Sequence, residues 1–208
     1  ATPDEGRYVE ISREMAESWD FVTPRLNGVK YFEKPPLFYW MEAISLKVAG
    51  KNPSFAQIRA VEVGLAVLGC IFVMLAGYYA YGLQTALISG GVLATTLLYY
   101  VQSRFISLDL SFSVFMSGAL WCYFLSVVKG CVRKKRAVLT LAYIFAAFAV
   151  LAKGLAGIVL PGLVVLTWLI FSQKTVKEKL QIFKDSFCLP GIFLFLLLAL
   201  PWHIICAL

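Results

Sequence analysis

Apolar residues recur along this chain in six long runs, at roughly 60–80, 85–102, 109–128, 137–152, 154–171 and 187–206. An apolar run of about 18 or more residues with few charges is long enough to cross a bilayer as a helix. The run at 137–152 is short, but it stops against Lys153 and its flanks can complete it. Residues 1–55 break the pattern and are expected to form a separate region ahead of a bundle over 56–208. Over 2–20, Tyr8, Ile11, Met15 and Trp19 fall at helical spacing. Thr2, Pro3 and Glu5 suit the N-cap, first position and capping box of that helix. Its apolar stripe predicts a helix lying along the membrane surface. A second helix is expected over 36–50, opened by Pro35 and Pro36. With Glu42 and Lys47 it is too short and too charged to span. The aromatics around it, Tyr31, Phe32, Phe38, Tyr39 and Trp40, suit the headgroup layer.

Composition agrees with a membrane protein. Hydrophobic residues make up 60% of the 208 and charged residues 15%, against about 45–50% and about 25% in soluble domains. The fold class expected is an all-α integral membrane protein, a multi-helix bundle. The five cysteines, Cys70, Cys122, Cys131, Cys188 and Cys206, contain no CxxC pair. They read as small packing residues without a disulfide framework or metal cluster. The chain does not begin with Met and stops inside an apolar run, "PWHIICAL". We therefore expect a fragment lacking a first helix and a C-terminal part.

The net charge of +7 does not point to nucleic acid, because the excess is concentrated in two short loops. One carries Lys129, Arg133, Lys134, Lys135 and Arg136; the other carries Lys174, Lys177, Lys179 and Lys184. Short basic loops beside apolar helices face the cytoplasm. Propagating that orientation puts "YGLQ", 81–84, on the cytoplasmic side. The first 55 residues and "AKGLAG", 152–157, then lie outside. Asp4, Glu5, Glu33, Lys34, Arg104, Asp109, Lys153 and His203 consequently share one side of the membrane. A transporter is expected to hold its key groups near the midplane, so this distribution suggests a pocket at the outer surface.

Each of these residues also has a structural reading. Asp4 and Glu5 suit the first turn of a helix by its dipole alone. Asp109 and Lys153 interrupt or border apolar runs, where charges face a cavity and pair, and a structural salt bridge satisfies that as well. His203 follows Pro-Trp and reads equally as an interfacial side chain. Glu33 and Lys34 are adjacent in what is expected to be an extended segment, so they should point to opposite sides and serve different partners. No nucleotide-binding motif is present, so an enzyme here would draw its substrate from the lipid phase.

"DEGRYVEISREM", "WDFVTPRLNGVKYFEKPPLFYW", "SLDLSFSVFM", "LAKGLAGIVLPGL" and "LPWH" occur in that order. Together they resemble the lipid A aminoarabinose transferases and their wider group, bacterial GT-C membrane glycosyltransferases related to protein O-mannosyltransferases. The resemblance implies an inverting enzyme using a polyprenyl-phosphate-linked sugar at the periplasmic face of the inner membrane. It implies that Asp4 is the catalytic aspartate and that Lys34 binds the donor phosphate. Glu5, Arg7, Asp109 and Lys153 would line the substrate cavity, and Glu33 and His203 would take part in a divalent metal site. Aminoarabinose transferases often have one proline after the lysine, where this chain has Pro35-Pro36, and the double proline also occurs in relatives with other sugars and acceptors. The acceptor stays open between lipid A and a glycan or secreted protein. A lipid-linked sugar transporter is the alternative from another class.

Overall fold

The computed structural model describes residues 3–50, 52–127 and 135–207. Thr2, Lys129, Cys131, Arg133 and Lys134 lie outside the described residues, and with them the proposed N-cap and most of the first basic loop. The chain runs α1 (Pro3–Ser18), β1 (Arg25–Leu26), β2 (Val29–Lys30), α2 (Leu37–Ala49), α3 (Phe55–Ile58), α4 (Ala60–Tyr81), α5 (Leu83–Thr95) and α6 (Leu97–Gln102). It continues with α7 (Leu108–Val127), α8 (Lys135–Lys153), α9 (Ala156–Phe171), α10 (Val176–Ser186) and α11 (Leu189–Ala207). The fold is an all-α membrane bundle with one two-stranded antiparallel hairpin, β1–β2, at its edge.

Among the described residues, four helices are long and apolar enough to cross a membrane: Ala60–Tyr81, Leu108–Val127, Lys135–Lys153 and Leu189–Cys206. Two others, Leu83–Thr95 and Ala156–Phe171, are apolar but shorter. The expected single helix over 85–102 is divided at Thr95–Thr96. Both threonine hydroxyls donate to carbonyls one turn back, Thr95 to Gly91 and Thr96 to Val92, each at 2.7 Å. Hydroxyls bonded in this way compete with the helical ladder. Past the break, α6 is held by the Tyr99 hydroxyl, which donates to the Ala66 carbonyl of α4 at 2.8 Å. Gly69 permits that approach, since a Cβ there would collide with the Tyr99 hydroxyl.

α7 is central. Leu110, Val114 and Phe115 pack with Leu65 and Ala66 of α4 and with Ala149, Leu151 and Ala152 of α8. Ala147 and Val150 of α8 meet Ala199 of α11. Small residues allow these helices to approach closely, as in membrane bundles generally. On the outside, Val63, Val67, Ile71 and Leu75 form an exposed row along α4. Such rows are what lipid-facing helices present, and they would be a liability in water. The chain is a multi-pass membrane protein.

The region before the bundle departs from expectation. The stripe of α1 is covered by α2 and not by lipid: Ile11 and Met15 are buried with Phe38, Tyr39 and Ala43. Phe38 and Tyr39 therefore leave the headgroup layer, while Phe32 remains exposed. Trp19 falls just beyond the helix end at φ 59°, with the Lys47 ammonium over its ring. The hairpin turn is Asn27-Gly28, both at positive φ, a pair suited to a tight two-residue turn.

Candidate functional site

The first turn of α1 puts Asp4 and Arg7 on one face, three residues apart, where they pair at 3.2 Å. The Arg7 guanidinium also lies beside the Tyr31 hydroxyl. That hydroxyl donates in turn to Glu33 Oε2 at 2.7 Å, and Glu33 pairs with Lys34 at 3.5 Å. Asp4, Arg7, Tyr31, Glu33 and Lys34 thus form one continuous polar chain across two segments of sequence.

The Glu33–Lys34 contact corrects the expectation that the two side chains point apart. The backbone bends at 33–34 ahead of Pro35, and a bend brings neighbouring side chains to one side. The Tyr31 donation, followed by Lys34, holds the Glu33 carboxyl below the usual range. The Tyr31 hydroxyl and, more weakly, the Asp4 and Glu33 carboxylates hold the Arg7 guanidinium above its ordinary value. Both groups stay charged around neutrality.

Asp109, in the first turn of α7, forms an ion pair with Lys153 at the end of α8. Two observations bring this pair to the polar chain. Gly154, in the left-handed conformation at φ 71° that ends α8, lies beside the Pro35 ring. The half-buried Tyr8 hydroxyl is raised in pKa, first by burial and then by charges that include Asp4 and Asp109. Lys34 and Lys153 are therefore delivered to one end of the bundle by elements more than a hundred residues apart. The groups are half exposed: the Asp4 side chain is 65% accessible, Lys34 35%, Asp109 55% and Lys153 41%. This is an open charged face beside lipid-embedded helices.

Glu5 takes a different position. It is buried, accepts from the Ile106 amide at 3.2 Å and pairs with Arg59 at 3.6 Å. It fastens α1 to the α6–α7 loop. Arg104 stacks its guanidinium on Tyr100 and its carbonyl accepts from Arg59 Nε, so it too is engaged away from the cluster.

His203 reaches the same end through its neighbour. Trp202 Nε1 donates to the Val22 carbonyl at 2.8 Å, and the Trp202 ring lies 6.5 Å from that of Phe32. His203 Nδ1 is 2.7 Å from its own helix carbonyl at Ala199. Donation there leaves Nε2 as the available nitrogen. Glu33 and His203 provide one carboxylate and one imidazole. Among the described residues, no three His, Cys, Asp or Glu side chains gather as a metal site would require.

Two features escaped the sequence reading. Tyr31 is the link joining Arg7 to Glu33; its position two residues before Glu33 was the available signal. Glu42 and Glu62 are fully buried, and none of their carboxylate oxygens has a hydrogen-bond partner among the described residues. An acid in the first turn of an otherwise apolar run marked Glu62.

Comparison with known proteins gives a consistent answer. The family model for dolichyl-phosphate-mannose-protein mannosyltransferase matches residues 1–208. An undecaprenyl phosphate-alpha-4-amino-4-deoxy-L-arabinose arabinosyl transferase of Shewanella sediminis is 30% identical over 175 residues, 84% of this chain and 32% of that protein. The crystal structure of ArnT from Cupriavidus metallidurans in the apo state superposes with a TM-score of 0.90 at 30% identity, covering 99% of this chain and 37% of that one. The same protein bound to undecaprenyl phosphate gives 0.89 at 29% identity, with the same coverage. The chain spans about a third of the length of the curated relatives it matches.

Proposed function

This chain belongs to the dolichyl-phosphate-mannose-protein mannosyltransferase family, and from that premise we propose that it carries the donor end of a polyprenyl-phosphate-sugar glycosyltransferase. The observation that carries the reading is the placement of the Asp4–Arg7–Tyr31–Glu33–Lys34 group and the Asp109–Lys153 pair at the same end of the bundle, with Pro35 beside Gly154. A substrate with a long prenyl tail and a phosphate needs a lipid-accessible flank and fixed cations at its edge. Support also comes from a relative of 29% identity crystallised with undecaprenyl phosphate.

In this mechanism the bond between the sugar's anomeric carbon and the phosphate oxygen breaks as an acceptor oxygen attacks from the opposite face. One displacement inverts the centre. The departing phosphate gains negative charge, and Lys34 stabilises it, with Arg7 and Lys153 adding positive charge nearby. Preformed cations at a developing oxyanion act strongly where water is scarce. Asp4 faces the sugar. With a hydroxyl acceptor it removes the proton; with a phosphate acceptor, already anionic, it orients the sugar and steadies the oxocarbenium-like carbon. Glu5 supports Asp4 by fixing the first turn of α1. The acceptor we favour is lipid A and the sugar 4-amino-4-deoxy-L-arabinose, at the periplasmic face of the inner membrane, because arabinosyl transferases are among the relatives at about 30% identity.

Lys34→Ala is the test. Transfer from a polyprenyl-phosphate donor should fall at least ~100-fold, with the protein still inserted and monodisperse. Mass spectrometry of lipid A from cells with and without Asp4 reads the acceptor. Full transfer by Lys34→Ala would refute the phosphate assignment. Donor translocation that persists without Asp4 would favour a transporter.

A further inference from the structure

The far end of α8 builds a second charged groove. The helix runs 19 residues from Lys135 to Lys153, about 28 Å at 1.5 Å per residue. Lys135 therefore lies about one bilayer core away from the Asp109–Lys153 pair. At that end Lys135, Arg136, Lys184, Asp185, Phe187 and Leu189 line a groove of about 460 Å³.

The groove has a fixed frame. Lys135 donates to Asp185 at 2.9 Å, and Asp185 also accepts from Gln181 at 2.8 Å. The Tyr123 and Ser186 hydroxyls meet at 2.9 Å, and the Tyr143 hydroxyl donates to the Ser186 carbonyl at 2.8 Å. These bonds pin the end of α10 onto α7 and α8. Asp185 is thereby occupied, while Arg136 and Lys184 make no ion pair with any described residue. The groove keeps a positive balance.

α10 itself presents Val176, Leu180, Phe183 and Phe187 outward, at 82%, 52%, 45% and 61% exposure. Their spacing of four, three and four makes one stripe, with Lys177 and Lys184 alongside. A short helix with an apolar stripe and a basic flank lies in the interface of a bilayer. Half of the groove wall is apolar, and Leu189 opens the lipid-facing helix α11 directly beneath it.

We propose that this groove binds the phosphodiester headgroup of an anionic phospholipid, in the leaflet opposite the Asp4–Lys34 face. Arg136 and Lys184 take the phosphate, and the acyl chains pass Phe187 and Leu189 into the bilayer. Basic groups next to an apolar wall at the end of a spanning helix match a lipid, whereas a free anion has no use for the wall.

The purified full-length protein, offered an equal mixture of phosphatidylglycerol and phosphatidylcholine, is read by native mass spectrometry. The wild type should retain phosphatidylglycerol preferentially. Arg136→Gln/Lys184→Gln should reduce that preference roughly tenfold or more. Lys177→Gln, on the same helix but outside the groove, should keep it. Millimolar inorganic phosphate should leave the lipid in place. An unchanged preference in the double variant overturns the proposal. So does an equal loss in Lys177→Gln, which would mean diffuse surface attraction, or displacement by inorganic phosphate, which would mean a free-anion site.

Discussion

Glu42→Gln should flatten the pH dependence of this protein's stability. Glu42 lies on α2 with no exposed surface, and neither carboxylate oxygen meets a donor among the described residues. Burial, and then the charge of Glu62, push its carboxyl from 4.5 up to about 8. A carboxyl so raised holds its proton more tightly in the folded chain than in the unfolded one. Below pH 4.5 both states are protonated and there is no penalty. Between 4.5 and 8 the folded state binds more protons, so stability falls as pH rises. Above 8 the full cost is present. At about 1.4 kcal/mol for each pH unit, the displacement corresponds to about 5 kcal/mol. Glutamine keeps the shape and cannot ionise. Thermal unfolding in detergent, followed from pH 5 to pH 8, should show wild type falling progressively below Glu42→Gln. Glu62→Gln removes the repulsive neighbour and should make the decline smaller and end it at a lower pH, because ionised Glu42 becomes easier to hold. Parallel curves for wild type and Glu42→Gln across this window would refute the reasoning, because a buried acid that does not titrate there is not burdened by its charge.

Other outcomes follow from single contacts. Tyr31→Phe removes the hydroxyl bridging Arg7 and Glu33; transfer should fall about tenfold, in line with a positioning contact, while the melting temperature moves little. Glu5→Ala strands the Ile106 amide and Arg59 and should cost about 2–3 kcal/mol, read by denaturation. Asp109→Asn should change stability by less than about 1 kcal/mol, since the pair is half exposed. Its effect on transfer should be larger, and unequal loss of activity and stability separates a site role from a structural one. Trp202→Phe deletes the bond to the Val22 carbonyl and should cost about 1 kcal/mol by the same denaturation assay.

Much of the bundle was legible in the sequence because lipid imposes a simple rule: a spanning helix must be apolar over its length. The turns at Gly82 and Gly154 were legible for a similar reason, since each stops one apolar run and opens the next. The candidate residues were legible because charge beside an apolar run has few explanations. Pairing was not. Glu33 and Lys34 were expected to diverge, and a local bend set by Pro35 brings them together. Glu5 read like Asp4, yet one is buried on Arg59 and the other is open to the face. The difference of one helical position becomes a difference of environment only once α1 rests on α2.

The sequence by itself determined that this chain is a membrane bundle with a charged region at one end, because hydropathy and charge act locally and are written residue by residue. Only the tertiary structure decided which charges meet. The Asp109–Lys153 pair, the place of Pro35 against Gly154 and the burial of Glu42 beside Glu62 each join segments from different helices. Contacts of that kind depend on how helices pack, and packing is fixed by the shapes of side chains from the whole bundle at once.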